Sequence, residues 1–285
     1  MSPDIDRTLA ADIESIVARA LAEDIGSGDL TADLIPAAQR SSARVIARNL
    51  TVLCGTPWFD ETFRQLDEQV VIRWYCDEGS TIEAGQCVCS LEGSARALLS
   101  GERTGLNFLQ TLSGTAAVAR RYAAAIAETA ATILDTRKTI PGLRLAQKHA
   151  VRIGGASNHR IGLYDAVLIK ENHIAAAGSI EAAVARAAAT VPAGTMLEVE
   201  VETLDELEQA LRTAATRIML DNFDLEAMRQ AVERRNSVAE HIELEASGGI
   251  TFENVRSIAA TGVDVISVGA MTKDLAAADF SMRFD

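Results

Sequence analysis

The sequence is poor in aromatic and basic residues, and each shortage argues against a class of protein. Phe, Trp and Tyr make up 4% of the 285 residues, and 40 acidic side chains against 27 Lys and Arg give a formal net charge of −13. A protein that binds nucleic acid usually presents a basic stripe and rings that stack on bases. The composition therefore argues against nucleic acid and favours a small-molecule ligand.

The chain also lacks long apolar runs and has few cysteines. It contains no stretch of roughly 18 uncharged apolar residues and no apolar secretion-signal core near its start, so we expect no membrane span and a cytoplasmic location. The Cys-x-Cys pair lacks the second half of a zinc site, which favours free thiols in a reducing compartment. The cysteines all fall in the first third of the chain: Cys54, Cys76, Cys87 and Cys89.

The first third of the chain mixes helical and strand patterns. Residues 8–23 have apolar side chains at helical spacing, and short β-branched runs between Ala43 and Leu91 indicate a small sheet-rich domain. A second helical pattern covers residues 94–112. We expect Ser113-Gly114-Thr115 to end that helix before an alanine-rich one begins at Ala116. Arg103 lies on the earlier helix beside Glu102, and a solvated ion pair is the simplest interpretation of the two.

Strand and helix patterns alternate through the rest of the chain, which implies parallel strands joined by right-handed crossovers. Both an open doubly wound sheet and a closed barrel fit this alternation. Carboxylates alternate along two strands, so each set faces one side, which favours the polar mouth of a barrel. They are Glu198, Glu200 and Glu202 on one strand and Glu243 and Glu245 on the other. Capped helix starts are predicted at Ser179, Thr203, Asp224 and Thr251.

A basic island lies within this acidic chain between Asp135 and His173. Cations gathered against the overall charge, beside strands that hold them rigidly, indicate a site for a small polyanion with carboxylates or phosphates. The members of the island are Arg137, Lys138, Arg144, Lys148, His149, Arg152, His159, Arg160, Lys170 and His173.

The carboxyl ends of the predicted strands, where α/β barrels place their sites, carry carboxylates and glycines as well as cations. Glu200 and Asp221, on successive strands, offer oxygen ligands suited to Mg²⁺ or to sugar hydroxyls. Ser247-Gly248-Gly249 and Gly269 present bare backbone N–H groups just before a helix, as many phosphate sites do. A structural salt bridge would explain any one of the charged residues, but their common position at strand ends favours a site.

Several long motifs follow one another in a single order along nearly the whole chain. Together they closely resemble the quinolinate phosphoribosyltransferase family, the decarboxylating nicotinate-nucleotide pyrophosphorylases of NAD biosynthesis. The motifs include Gly101-Glu-Arg-Thr-Gly-Leu-Asn-Phe-Leu-Gln-Thr-Leu-Ser-Gly, Leu134-Asp-Thr-Arg-Lys-Thr-Ile-Pro-Gly-Leu-Arg, Gly154-Gly-Ala-Ser-Asn-His-Arg-Ile-Gly-Leu, Leu168-Ile-Lys-Glu-Asn-His, Met219-Leu-Asp-Asn-Phe and Glu245-Ala-Ser-Gly-Gly-Ile. Where many members have Thr-His-Ser after the Val-Gly-Ala segment, this chain has Thr272-Lys273-Asp274.

The resemblance implies a fold and an assembly. The fold is α/β, with an N-terminal α/β sandwich domain at residues 1–113 and an incomplete α/β barrel of about seven strands at residues 114–285. The C-terminal tail would return to the N-terminal domain. The assembly would be a homodimer, or a hexamer built from dimers, in which subunits share active sites.

The resemblance also implies a reaction and the residues that serve it. Phosphoribosyl pyrophosphate would react with quinolinate to give nicotinate mononucleotide, pyrophosphate and CO2, with Mg²⁺ as cofactor. Quinolinate would contact Arg137, His159, Arg160 and Lys170, and Arg103 from the partner subunit. Phosphoribosyl pyrophosphate would contact Lys138, Lys170, Glu200, Asp221, Ser247, Gly248, Gly249 and Gly269. The metal would lie at Glu200 and Asp221, and the catalytic set would be Lys138, Lys170, Glu200 and Asp221.

Two other functions fit the same residues. An aldolase-type lyase would use Lys170, at the end of a predicted strand, to form a Schiff base with a carbonyl substrate. A non-catalytic protein that binds a phosphorylated metabolite, or an assembly scaffold, would have a degenerate form of the site without turnover.

Overall fold

The computed structural model describes residues 3–285, with side chains from Thr8 onward, and divides into two compact units. The first unit comprises Met1–Arg120, Ile140–Gly155 and Asp274–Asp285, and the second comprises Arg121–Thr139 and Ala156–Lys273. Each unit is therefore made of separate stretches of chain. The division into domains at 1–113 and 114–285 stays a prediction, and its boundary falls within a helix.

The elements alternate as the patterns predicted over most of the chain. In order they are α1 (Pro3–Ile25), β1 (Arg40–Ala47), β2 (Thr51–Val52), α2 (Thr56–Leu66), β3 (Val71–Trp74), β4 (Thr81–Ile82), β5 (Cys87–Ser94), α3 (Ala95–Ala125), β6 (Thr132–Leu134), α4 (Arg144–Ile153), β7 (Val167–Ile169), α5 (Glu171–Ala177), α6 (Ile180–Thr190), β8 (Leu197–Val201), α7 (Leu204–Ala210), β9 (Arg217–Asp221), α8 (Leu225–Val238), β10 (Glu243–Ser247), α9 (Val255–Ala259), β11 (Val265–Ser267), α10 (Ala270–Lys273) and β12 (Phe280–Phe284). Within the described range, no helix combines the length and the apolar character needed to cross a bilayer.

The first unit packs helices against an antiparallel sheet with strand order β12-β1-β5-β3. Val45 in β1 pairs with Met282 of β12 on one side and with Cys89 of β5 on the other, so the end of the chain forms an edge strand. Side chains from β1, α2 and α3 meet in one core, and their burial removes apolar surface from water. This core includes Ala43, Val45, Ala47, Phe59, Phe63, Leu98, Leu106 and Leu109.

Helix α3 runs without a break through the position where we expected it to end. The Ser113 hydroxyl donates to the carbonyl of Cys54 and accepts from its N–H, both at 3.0 Å, so this polar side chain serves a buried loop. Gly114 lies against the backbone of the C-terminal segment, where an added Cβ would stand 2.3 Å from the Ala276 oxygen. The expected helix end was therefore wrong, because the glycine provides close packing and does not stop the helix.

The second unit is a parallel sheet with strand order β6-β11-β10-β9-β8-β7. A single parallel bridge joins Leu134 at the end of β6 to Ser157, so a short extended segment continues the sheet beyond its β6 edge. Six strands plus this bridge agree with an incomplete barrel of about seven strands. The repeated βα units form because helices such as α6 and α7 bury apolar side chains against the strands that flank them.

Most helices of the second unit begin where their caps predicted. The side chains of Ser179, Thr203 and Asp224 each accept a backbone N–H from three residues ahead. The predicted start at Thr251 was wrong, since α9 begins at Val255. There the Thr251 N–H donates to the Asn254 side chain at 2.8 Å, which forms a turn before the helix.

We predict that Gly114→Ala lowers the free energy of unfolding by about 1–3 kcal/mol, because the new methyl group cannot fit beside the Ala276 carbonyl. In an exposed helix the same change would stabilise the protein by up to about 1 kcal/mol. Denaturant unfolding of both proteins measures the difference. Gly105→Ala is the matched control in the same helix, since the three atoms nearest its added Cβ are ring atoms of Phe59 and Phe63 at 3.1 Å or more and none is backbone. A Gly114→Ala protein as stable as wild type would contradict this packing role.

Candidate active site

An open pocket of about 590 Å³ lies at the carboxyl ends of the parallel strands in the second unit. Side chains in or just after β6, β7, β8, β9 and β10 converge there because those strands all run in one direction. The lining residues are Thr136, Arg137, Lys138, His159, Arg160, Leu168, Lys170, Glu200, Met219, Asp221, Asn222, Glu245, Ser247, Gly248 and Ser267. Cations and carboxylates predominate, so the pocket suits a ligand with several charged groups.

The pocket contains most of the residues that the sequence analysis named. Arg137, Lys138, His159, Arg160, Lys170, Glu200, Asp221, Ser247 and Gly248 all line it. Gly269 does not line it but lies directly behind one lining residue, since a Cβ there would be 3.0 Å from the Lys138 side chain. Gly249, with φ +58, follows Gly248 in the same turn. Arg103 is exposed on α3 in the first unit, and its role stays a prediction.

Asp135, at the end of β6, anchors the segment that carries two of the cationic residues. Its side chain is fully buried, and Oδ1 accepts the backbone N–H of His159 at 2.9 Å. Oδ2 accepts from the Asn158 amide at 2.6 Å. A buried carboxylate needs such donors, since burial without them is costly. The two bonds fix the backbone of residues 158–160 against the end of the sheet.

At the base of the pocket, His159 meets two fully buried carboxylates. Its Nε2 lies 3.0 Å from Glu198 Oε2 and 3.3 Å from Glu245 Oε2. Arg217 Nη1 approaches the same Glu245 oxygen at 3.4 Å, and Arg217 also donates to Glu243 at 2.7 Å. Glu198 and Glu245 occupy the alternating inward positions from which we predicted a polar barrel interior. Arg217 was missed because only the strand register brings it beside them.

The charges in this cluster depend on one another. Burial lowers the pKa of His159, but its hydrogen bonds to Glu198 and Glu245, together with their charges, outweigh burial and raise that pKa to about 9. Burial raises the pKa of Glu198 to about 7. Burial also opposes ionisation of Glu245, but contact with His159 and Arg217 holds its pKa below the ordinary value.

A backbone contact sets a limit on the charge of His159. The Arg160 N–H donates to His159 Nδ1 at 2.7 Å, which favours an imidazole protonated on Nε2 alone. Two buried carboxylates facing one partly buried arginine favour a further proton in the cluster, and the charged form of His159 takes that proton on Nδ1 in place of the hydrogen bond from Arg160. The neutral alternative places that proton on Glu198.

The cations at the mouth of the pocket are crowded. Burial, and then the charge of Arg137, lower the pKa of Arg160. Arg160 Nη1 also donates to the Ala166 carbonyl at 3.2 Å, which directs its guanidinium. Like charges held close together in this way are stabilised by an anion that binds between them.

Lys170 and Glu200 form an ion pair across the ends of β7 and β8. The lysine side chain is 45% exposed and the glutamate 9% exposed, so the ammonium faces the open side of the pocket. The Lys170 backbone N–H donates to His173 Nδ1 at 3.0 Å, at the start of α5. This places His173 in a local capping role and does not bring it into the pocket lining.

Hard oxygen donors for a cation lie on neighbouring strands. Glu200 on β8 and Asp221 at the end of β9 both line the pocket, and carboxylate oxygens are the ligands that Mg²⁺ prefers. Among the described residues, two trios also have donor atoms within 4.8 Å of one another: Cys54 with Glu78 and His149, and His159 with Glu198 and Glu245. The first trio is occupied by structural bonds, since Glu78 accepts the Gly55 and Thr56 N–H groups and lies 2.9 Å from His149.

The chain matches two family models that together span most of its length. Residues 29–113 match the N-terminal domain of quinolinate phosphoribosyl transferase, and residues 115–283 match the C-terminal domain. A probable nicotinate-nucleotide pyrophosphorylase (carboxylating) of Synechocystis is 41% identical over 263 residues, which is 92% of this chain and 89% of that protein. Its counterpart in Bacillus subtilis is 41% identical over 91% of this chain and 89% of its own length.

Solved structures agree with these matches. The nicotinate-nucleotide pyrophosphorylase of Francisella tularensis has a TM-score of 0.93 and 44% identity over 97% of both chains. NadC of Streptococcus pyogenes has a TM-score of 0.91 and 37% identity over 95% of both chains. Similarity of sequence and fold thus extends through both halves of the molecule, and the chain belongs to the quinolinate phosphoribosyltransferase family.

Proposed function

We propose that the protein transfers the phosphoribosyl group of phosphoribosyl pyrophosphate to quinolinate, with loss of CO2, to give nicotinate mononucleotide and pyrophosphate. One observation supports this most strongly. In a chain of this family, a single pocket gathers cations suited to carboxylates and phosphates beside carboxylates suited to a sugar. The relatives named above are called nicotinate-nucleotide pyrophosphorylases. That name describes the same reaction written in the opposite direction.

The two carboxylates of quinolinate would be bound by the cationic side of the pocket. Arg137, Arg160 and His159 line it together, and guanidinium groups bind carboxylates with two parallel hydrogen bonds. Lys170 adds a fourth cation on the open side. Binding at several points would orient the pyridine nitrogen toward the sugar, which removes much of the entropic barrier to reaction.

Phosphoribosyl pyrophosphate would lie across the strand ends. Lys138 and Lys170 would contact its phosphates, and the N–H groups of the Ser247-Gly248-Gly249 turn and of Gly269 would bind the 5′-phosphate. Glu200 and Asp221 would bind the ribose hydroxyls and Mg²⁺. When bound, Mg²⁺ would neutralise charge on the pyrophosphate group.

Bond cleavage then follows from the charges in the pocket. As pyrophosphate leaves, positive charge develops on the ribose, and the Glu200 and Asp221 carboxylates would stabilise it. The nitrogen lone pair of quinolinate forms the new bond to the sugar. When CO2 departs, the electron pair of the broken bond stays on C2, where the adjacent positive ring nitrogen stabilises it until a proton takes the place of the carboxylate. Because the quaternised nitrogen supplies this stabilisation, the step needs no catalytic triad.

We infer further that the enzyme acts as a homodimer or a dimer-based hexamer, and in the cytoplasm. Arg103 is exposed on α3 of the first unit, where it is available to complete a site in another subunit. All four cysteines are free thiols, which suits a reducing compartment.

The aldolase alternative has less support. Schiff-base lysines are typically activated in an apolar pocket or beside another cation. Lys170 instead pairs with Glu200 and is 45% exposed.

Lys170→Ala and Arg103→Ala should each lower kcat/KM by at least about 100-fold while the protein stays folded, because each removes a cation that contacts substrate. If subunits share sites, randomly mixed dimers of the two variants should recover about a quarter of wild-type activity, since half the dimers are mixed and each has one intact site. A steady-state assay before and after subunit exchange measures this.

Arg256→Ala is the control, since Arg256 forms only an exposed ion pair with Glu128 in the same unit. It should retain wild-type activity. Recovery of no activity after verified subunit exchange would contradict shared sites, and full activity of the Lys170→Ala protein would contradict its role.

The KM for quinolinate should rise as the pH passes through about 9, because His159 then loses the positive charge that attracts a carboxylate. Its raised pKa means that this attraction is fully present at lower pH and is lost only at high pH. We expect a rise of about tenfold at most, with a smaller change in kcat.

Initial rates at varied quinolinate between pH 7 and pH 10 test this, with His159→Gln as the comparison. The variant should have a higher KM throughout and a flatter pH profile. Parallel profiles would show that His159 does not supply the charge.

A further inference from the structure

Asn222 has a backbone conformation that non-glycine residues rarely adopt. Its φ is +56°, and it is the one non-glycine residue with positive φ within residues 3–285. Asparagine tolerates this left-handed region better than most residues, but the conformation still carries strain. Asn222 directly follows Asp221, lines the pocket and was not among the residues that the sequence analysis selected.

Two hydrogen bonds hold Asn222 in place. Its backbone N–H donates to the Ser247 carbonyl at 2.9 Å, which connects the ends of β9 and β10. Its side-chain amide Nδ2 donates to Asp221 Oδ2 at 2.8 Å. One residue therefore contacts both the carboxylate end and the glycine-turn end of the pocket.

The side chain of Asn222 also explains why position 248 is glycine. Gly248 has φ +90°, and a Cβ added there would stand 2.2 Å from Asn222 Oδ1 and 2.6 Å from its Cγ. The amide thus lies directly on the Gly248 backbone. Any displacement of one would displace the other, because there is no free space between them.

We propose that Asn222 is a positioning residue, because its amide holds the Asp221 carboxylate and packs on Gly248. The cation-binding and phosphate-binding sides of the pocket then keep a fixed distance and orientation relative to each other. This rests on the proposed function, in which Asp221 binds Mg²⁺ and ribose while Gly248 binds phosphate. Groups that orient a metal-binding carboxylate usually matter nearly as much as the carboxylate itself.

The simplest competing explanation is that Asn222 serves only to adopt a turn. Asn222→Gly separates the two, because glycine adopts positive φ without strain but has no amide. If only the backbone matters, this variant should bind ligands as well as wild type. If the amide matters, it should fold normally and bind a divalent cation with phosphoribosyl pyrophosphate less tightly.

Mn²⁺ can replace Mg²⁺ and is detected by electron paramagnetic resonance. The test measures its binding by that method in the presence of phosphoribosyl pyrophosphate. We expect Asn222→Gly to weaken it about tenfold. The KM for phosphoribosyl pyrophosphate should rise in parallel, and the KM for quinolinate should stay within about twofold of wild type.

Asn236→Gly is the matched control, since Asn236 is exposed on α8 and glycine there destabilises a helix without touching the pocket. It should lower Tm and leave Mn²⁺ binding unchanged. Wild-type Mn²⁺ affinity in Asn222→Gly would overturn the proposal, as would an equal rise in both KM values. The binding measurement does not need turnover with quinolinate, so failure of the proposed function would be seen separately, in the wild-type assay.

Discussion

The ion-pair cluster at the base of the pocket is the constraint on which the second unit depends. Glu198 and Glu245 have no exposed surface, and an isolated buried carboxylate is strongly unfavourable unless it is paired or protonated. Arg217 and His159 provide the pairing. His159 in turn depends on Asp135, which holds its backbone at the end of β6. The sheet therefore cannot hold its inward carboxylates unless the segment that builds the pocket is also in place.

This dependence connects folding with recognition. The carboxylates that contact His159 raise its pKa, so a group that stabilises the interior also lines the cationic side of the pocket. The crowding of Arg137 and Arg160 works in the same direction, because the two guanidinium groups repel each other until an anion lies between them. On the opposite side, the Lys170–Glu200 pair and the Asp221–Asn222 bond order the groups that would meet the sugar and its phosphates. These contacts within the chain hold the charged groups of the pocket in a defined arrangement.

Much of this could be predicted from the sequence, for identifiable reasons. Alternating glutamates in β8 and β10 indicate a polar interior because side chains alternate strictly along a strand. Parallel strands bring their carboxyl ends together, so Lys170, Glu200 and Asp221 could be grouped before the structure was known. Arg217 and Asn222 could not, since their roles depend on strand register and on a positive φ. Gly114 misled us because a glycine that ends a helix and one that permits close packing look alike in sequence.

The central claim is that the pocket binds a pyridine dicarboxylate and phosphoribosyl pyrophosphate and joins them with loss of CO2. The most direct measurement incubates the purified protein with phosphoribosyl pyrophosphate, Mg²⁺ and either quinolinate or nicotinate, and follows mononucleotide and CO2 together. We predict turnover with quinolinate alone, with one CO2 released for each mononucleotide formed. Turnover with nicotinate in place of quinolinate would contradict binding through two carboxylates, and no turnover with either would contradict the proposed reaction.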